Sequence, residues 1–150
     1  MWDMSKNLGY AFDDDKYNRL VLLFEPTFAT YIDRLVQEKS ALFAGDRHFI
    51  GFYLDNELPF ASYQNADPLR GIDLKHFLSL PERYKAAREY AEKFMRDNGI
   101  ASTGVITKKN QEDFRGMVAD YYYQLTTATV RRYDKEHLIL GCLLYTSDAA

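Results

Sequence analysis

The stretch His48-Phe49-Ile50-Gly51-Phe52-Tyr53-Leu54-Asp55-Asn56-Glu57-Leu58-Pro59-Phe60 decides how the rest of the chain is read. Phe49 to Leu54 are apolar or glycine with no polar alternation. That is the pattern of a strand buried on both faces, as in a parallel sheet covered by helices. The run stops at Asp55, Asn56 and Glu57, and Pro59, which has no N–H to donate, ends the ladder. A buried strand that delivers a carboxylate and an amide at its C-terminal end sets them where α/β folds keep their chemistry.

The flanking segments supply the helices. Upstream, Leu20 to Phe24 is a short apolar run that reads as a strand end or a buried loop. Glu25-Pro26 opens a helix, with proline tolerated in the first turn. Phe28, Ile32, Leu35, Val36, Lys39, Leu42 and Phe43 carry it at three- and four-residue spacing to Ala44-Gly45. Asp46 and Arg47 then turn the chain into the central strand. Downstream, Leu58 to Ser79 is rich in turn formers and longer than a passive connection needs, so it reads as a binding loop.

Ser79-Leu80-Pro81-Glu82 reads as a capping box for a second helix, with Tyr84, Ala87, Ala91, Phe94 and Met95 on one side and Asn98-Gly99 as its stop. Asn110, with Asp113 completing a weak box, caps a third helix. Its apolar period runs through Phe114, Met117, Val118, Tyr121, Leu125 and Ala128 to about Tyr133. Asp134-Lys135-Glu136 turns the chain into a second apolar strand, His137 to Gly141. Strand, helical excursion and strand make a βα unit with its next strand, so a right-handed crossover and parallel pairing are expected.

Bulk properties narrow the classes. The chain of 150 residues has 47% hydrophobic and 27% charged residues, a globular balance. A formal net charge of -3 with scattered Lys and Arg offers no basic face, so no nucleic-acid partner is expected. No stretch approaches the roughly 18 apolar residues of a membrane span. Cys142 is the single cysteine, which excludes an internal disulfide. His48, His76 and His137 are far apart without ligand-spaced partners, so neither a metal site nor a cofactor is expected; His48 and His137 flank strands and read as satisfying backbone groups there. Phosphate loops, nucleophile elbows and dinucleotide fingerprints are absent. The acidic run Asp13-Asp14-Asp15 lacks the alternating spacing of a calcium loop and reads as solvated.

The Phe49–Phe60 stretch, taken with Arg132-Tyr133-Asp134-Lys135-Glu136-His137-Leu138-Ile139-Leu140-Gly141, resembles the agarase-like glycoside hydrolases, members of the clan of retaining (β/α)8-barrel glycosidases. Glu25-Pro26-Thr27-Phe28 is similar to the family's Asp-Pro-x-Phe segment before the catalytic strand. The resemblance implies an α/β fold: a partial TIM (β/α)8 barrel, incomplete, from roughly its third helix to its fifth strand. It also implies Glu57 as general acid/base, Asn56 as the amide on the sugar 2-hydroxyl, and Asp55 as support for the loop or for Asn56. Phe60 and Tyr63 would form part of a sugar platform or plug the loop. The substrate implied is a β-linked galactan or related poly- or oligosaccharide, and the setting secreted or periplasmic.

A retaining glycosidase needs a second carboxylate roughly 5–5.5 Å from the first. In this clan it stands at the end of the seventh strand, so the nucleophile is expected outside the chain. The expected organisation is residues 1–19 unplaced, residues 20–141 a partial catalytic barrel, and residues 142–150 a non-native tail resembling a translated read-through scar. The family's arginine near the end of the Leu-x-Leu-Gly segment is replaced by Cys142-Leu143. Two other readings stand beside the enzyme: a non-catalytic carbohydrate-binding protein on the same barrel, and a small self-contained α/β interaction domain. The last expects a closed core at this length, whereas a barrel segment expects exposed apolar strand edges and helix faces.

Overall fold

A parallel pair of strands and the helices between and before them make up the described part of the molecule. The computed structural model describes residues 19–56, 58 and 72–143. A 3-10 helix, Arg19–Phe24, leads into α1, Pro26–Ala41. Two short strands follow, β1 (Gly51–Phe52) and β2 (Asp55–Asn56). Then come α2 (Leu74–Leu78), a 3-10 turn Glu82–Tyr84, α3 (Lys85–Asp97), a second 3-10 turn Thr103–Val105 and the long α4 (Lys108–Tyr133). The strands β3 (Leu138–Ile139) and β4 (Cys142–Leu143) close the described chain.

The strands pair in parallel, as the helical excursion between them requires. Gly51 lies opposite Leu138 and Phe52 opposite Ile139. Farther along, Asp55 lies opposite Cys142 and Asn56 opposite Leu143. Between the two paired stretches the ladder holds through Leu140 N–H to Phe52 O at 2.8 Å and Leu54 N–H to Gly141 O at 2.7 Å. Gly141 bridges the break at φ 73°, a conformation that glycine adopts without the Cβ penalty. Gly51 is needed for a different reason: a Cβ there would stand 2.2 Å from the Leu138 carbonyl oxygen. Pairing runs through Cys142 and Leu143, two residues into the segment expected as a tail.

The core lies among the helices, not on the strands. Leu20, Val21, Leu22 and Leu23 are consecutive and buried. Their winding as a 3-10 helix points successive side chains about one third of a turn apart, so the segment is enclosed on all sides. Around it pack Phe28 of α1, Leu74 and Phe77 of α2, Ala87, Ala91 and Phe94 of α3, and Phe114, Val118 and Tyr122 of α4. Phe114 takes Phe77 and Phe94 edge-on at 5.2 and 5.3 Å, the preferred arrangement of ring quadrupoles. The expected apolar face of α3 is thus the buried one. On α4 the buried stripe runs Phe114, Val118, Tyr122 and Thr126, with Tyr121 38% exposed and Ala128 exposed.

Several local expectations are corrected. The strand is not buried on both faces among the described residues: Ile50 is 71% exposed and Leu138 55% exposed. The Ser79–Glu82 capping box does not form. The Ser79 hydroxyl donates to the His76 carbonyl at 2.8 Å, closing α2, and Glu82 is taken by Arg88 at 2.7 Å. Leu58 to Ser79 is not wholly irregular, because Asp73 caps α2 by accepting the His76 N–H at 3.0 Å. The long helix starts one turn earlier than expected: Thr107 is its cap and Asn110 its reciprocal partner. The stop at Asn98-Gly99 is as expected. Gly99 N–H reaches Arg96 O at 3.2 Å and Ile100 N–H reaches Met95 O at 2.9 Å, a Schellman closure.

Candidate functional site

The end of the first strand is where helix and sheet chemistry meet. Asp55 stands on β2, and α4 crosses the strand there. The Tyr122 hydroxyl donates to Asp55 Oδ2 at 3.0 Å, with the Leu54 carbonyl oxygen 3.3 Å away as a second acceptor. Tyr122 is only 2% exposed. Burial, then the charge of Asp55 and the hydrogen bond to it, push the Tyr122 phenol far above its usual range, so it is a donor at every ordinary pH. Burial and the neighbouring Cys142 also raise Tyr123. Cys142 Sγ in turn accepts the Leu58 N–H at 3.5 Å, tying the chain on the far side of the polar triplet back to β4.

The polar triplet is therefore fixed at its first residue and again just beyond its last. Asp55 is bonded to Tyr122 of α4. Asn56 is held by backbone pairing opposite Leu143. Glu57, Phe60 and Tyr63 lie outside the described residues. The Tyr122 link joins residues 67 apart, a pairing that no local sequence pattern specifies. Its signal in the sequence was the four-residue step Phe114, Val118, Tyr122, obscured by the Tyr121-Tyr122-Tyr123 run.

A second cluster sits at the opposite end of the strand pair. Asp134, 8% exposed, accepts from the His137 N–H at 2.9 Å, from the Glu136 N–H at 3.1 Å and from His137 Nδ1 at 2.7 Å. Burial pulls the Asp134 carboxyl upward, but these donors outweigh it and hold it below the usual range. The Asp134 contact raises the His137 imidazole, and the Asp46 backbone carbonyl raises it further. Arg131 donates to the His137 carbonyl at 2.8 Å, and Phe49 meets the imidazole edge-on at 5.0 Å. The cluster locks the turn before β1 to the turn before β3, with the His137 ring meeting the Asp46 backbone carbonyl.

An open groove of about 520 Å³ lies on the helices, lined by Phe24, Glu89, Tyr90, Lys93, Arg96 and Tyr121 among others, with no strand residue in its wall. Among the described residues, no group of three or more His, Cys, Asp or Glu stands close enough to hold a metal ion, and no helix is long and apolar enough to cross a membrane.

No family model and no curated protein matches the chain. The fold is an α/β unit with a parallel strand pair joined through helices, and it is shared with a solved glycoside hydrolase. That structure is the crystal structure of BpGH50, similar at a TM-score of 0.71 and 24% identity over 95% of this chain. The chain spans 31% of the length of BpGH50. The likeness is one of fold.

Proposed function

We propose that the chain is a segment of a retaining, agarase-like glycoside hydrolase, covering roughly the third helix to the fifth strand of a (β/α)8 barrel. One observation carries the reading. The strand that carries Asp55 and Asn56, immediately before Glu57 in the sequence, pairs in parallel with the strand reaching Leu143 across a helical excursion, in a fold shared with a glycoside hydrolase. Polar groups at the C-terminal ends of such strands are where barrel enzymes hold their catalytic residues. Exposed apolar positions on and beside the strands, Ile50, Tyr53 and Leu138 among them, support a barrel segment over a self-contained domain.

The mechanism follows from the chemistry of the bond. A glycosidic oxygen leaves poorly unless protonated, so Glu57 in its acid form gives it a proton. A carboxylate from another part of the protein, roughly 5–5.5 Å away, takes the anomeric carbon. Glu57, now a carboxylate, draws a proton from the water that releases the sugar. Asn56 holds the 2-hydroxyl, and Phe60 and Tyr63 offer faces for the sugar rings. The substrate is a β-linked galactan or a related polysaccharide.

The test is Glu57→Gln in the complete reading frame, assayed on agarose and on aryl-β-galactosides. Hydrolysis of unactivated substrate should fall by about 10²–10⁴-fold. Azide should restore turnover on substrates with an activated leaving group, giving a β-glycosyl azide. Full activity in the variant would remove Glu57 from the acid/base role. A protein that binds the polysaccharide but hydrolyses none of these substrates would instead be a carbohydrate-binding barrel.

A further inference from the structure

With its ligand class resting on the glycosidase reading, we propose that the open groove where α3, α4 and Phe24 meet is a second carbohydrate site, which holds the polysaccharide chain beside the strand end. Its floor is aromatic. Phe24 lies between two tyrosines, stacked on Tyr121 at 5.4 Å with the planes 7° apart and against Tyr90 at 4.3 Å. With Phe24 packed on it and 38% of its surface exposed, Tyr121 offers the groove a ring of fixed orientation. A pyranose presents a face of C–H groups and a rim of hydroxyls, which fits a ring with an apolar body and a polar tip. The Tyr90 and Tyr121 hydroxyls are hydrogen-bonded to none of the described residues, so both can meet sugar hydroxyls.

The rim sets Glu89 and Glu92 against Lys93 and Arg96, two acids and two bases with no net sign. That balance suits an uncharged polyol, which needs donors and acceptors together, and disfavours a phosphate or a nucleic acid. Glu89 is paired with Lys85 at 3.7 Å, Glu92 with Arg88 at 3.8 Å, and Lys93 with Asp97. Among the described residues Arg96 is in no ion pair, which leaves its guanidinium to donate to a ligand. The place matters as much as the chemistry. Tyr121 precedes Tyr122, whose hydroxyl reaches Asp55 on β2. Consecutive helical residues point about 100° apart, so groove and strand end lie on neighbouring sides of α4, separated by about the 10–12 Å width of a helix. A polymer can lie across both, whereas a single sugar cannot.

The experiment uses the complete enzyme with Tyr121→Ala, Tyr121→Phe and Arg96→Ala, reading kcat and KM on agarose and on an aryl-β-galactoside together with the thermal midpoint. Tyr121→Ala should raise KM on agarose by about 3–10-fold, the size of one aromatic contact, and leave kcat and both constants on the small substrate unchanged. Tyr121→Phe keeps the ring and should stay within about threefold of the parent. Arg96→Ala should raise the agarose KM by about 2–5-fold, and as an exposed substitution it keeps the test decisive if Tyr121→Ala does not fold. If the groove is instead covered by another part of the polypeptide, Tyr121→Ala lowers the midpoint with the agarose KM unchanged, and that result overturns the proposal. An equal change on both substrates overturns it too. Mobility in native polyacrylamide gels containing a soluble galactan separates this inference from the glycosidase reading. A parent that hydrolyses nothing but is retarded, and less so as Tyr121→Ala, sinks the glycosidase reading and keeps the site. Hydrolysis that depends on Glu57 but ignores Tyr121→Ala and Arg96→Ala in both KM and retardation sinks only this inference. A parent that neither hydrolyses nor is retarded sinks both.

Discussion

His137 shows how much a single ring can be asked to hold. Its Nδ1 donates to Asp134, the Asp46 carbonyl offers a further acceptor, and Phe49 meets the ring edge-on. Only the protonated ring can donate from both nitrogens. The imidazole is therefore raised above its usual value, and a group raised in the folded state stabilises fully below its unfolded pKa of about 6.5. That contribution is lost as pH rises through the elevated folded value. Asp134 has the opposite sign: depressed on folding, it contributes above its ordinary pKa and loses that as pH falls through its lowered value. The melting temperature should thus fall as pH rises from about 6.5 through the elevated His137 value, and His137→Asn should flatten that limb and also weaken the acid one, because the imidazole is one of the groups that hold Asp134 down. A slope unchanged in the variant would assign it to another group. Of this cluster, the sequence showed the flanking position of His137 but not its partner at Asp46, because that pairing depends on how two distant turns meet.

Between elements, glycine permits a close approach at the start of β1. A methyl group at residue 51 would meet the Leu138 carbonyl at 2.2 Å, so Gly51→Ala must push the strands apart. The expected loss is about 1–3 kcal/mol, as for overpacked cores, read as a lower urea midpoint with an unchanged slope. A midpoint equal to the parent's would show that the pairing yields at that point. Helix ends were legible where the signal was a backbone necessity and not where it was a choice among polar residues. Gly99 takes φ 64°, and the Asn98-Gly99 stop was read correctly for that reason. Ser79, Glu82 and Asn110 could each satisfy more than one partner. Arg88 takes Glu82, the end of α2 takes Ser79, and Thr107 caps the long helix with Asn110 as its partner.

The whole molecule carries an imbalance: its helices enclose a full core while the strands remain partly bare. The alternation of helices and apolar strands made the α/β character and the parallel pairing readable from sequence. Burial was not readable, since a run such as Phe49 to Leu54 looks the same whether its cover lies inside the described residues or elsewhere. With Ile50 71% and Leu138 55% exposed, the 150-residue chain expressed alone should self-associate and bind a hydrophobic dye. Ile50→Lys with Leu138→Lys should reduce both, as followed by sedimentation velocity and dye fluorescence. A dye-silent monomer would favour a self-contained domain. The parallel pairing also imposes a timetable. The Leu58 N–H must wait for Cys142, 84 residues later, before it finds its acceptor. At typical synthesis rates that is on the order of 4 to 17 s of translation, before exit from the ribosome is counted. Throughout that interval the first strand is a nascent edge with no mate, while α1 to α4 can wind locally. The polar triplet is thus the part of the chain synthesised early and completed late, and the hazard of mispairing falls on the segment proposed to carry the chemistry.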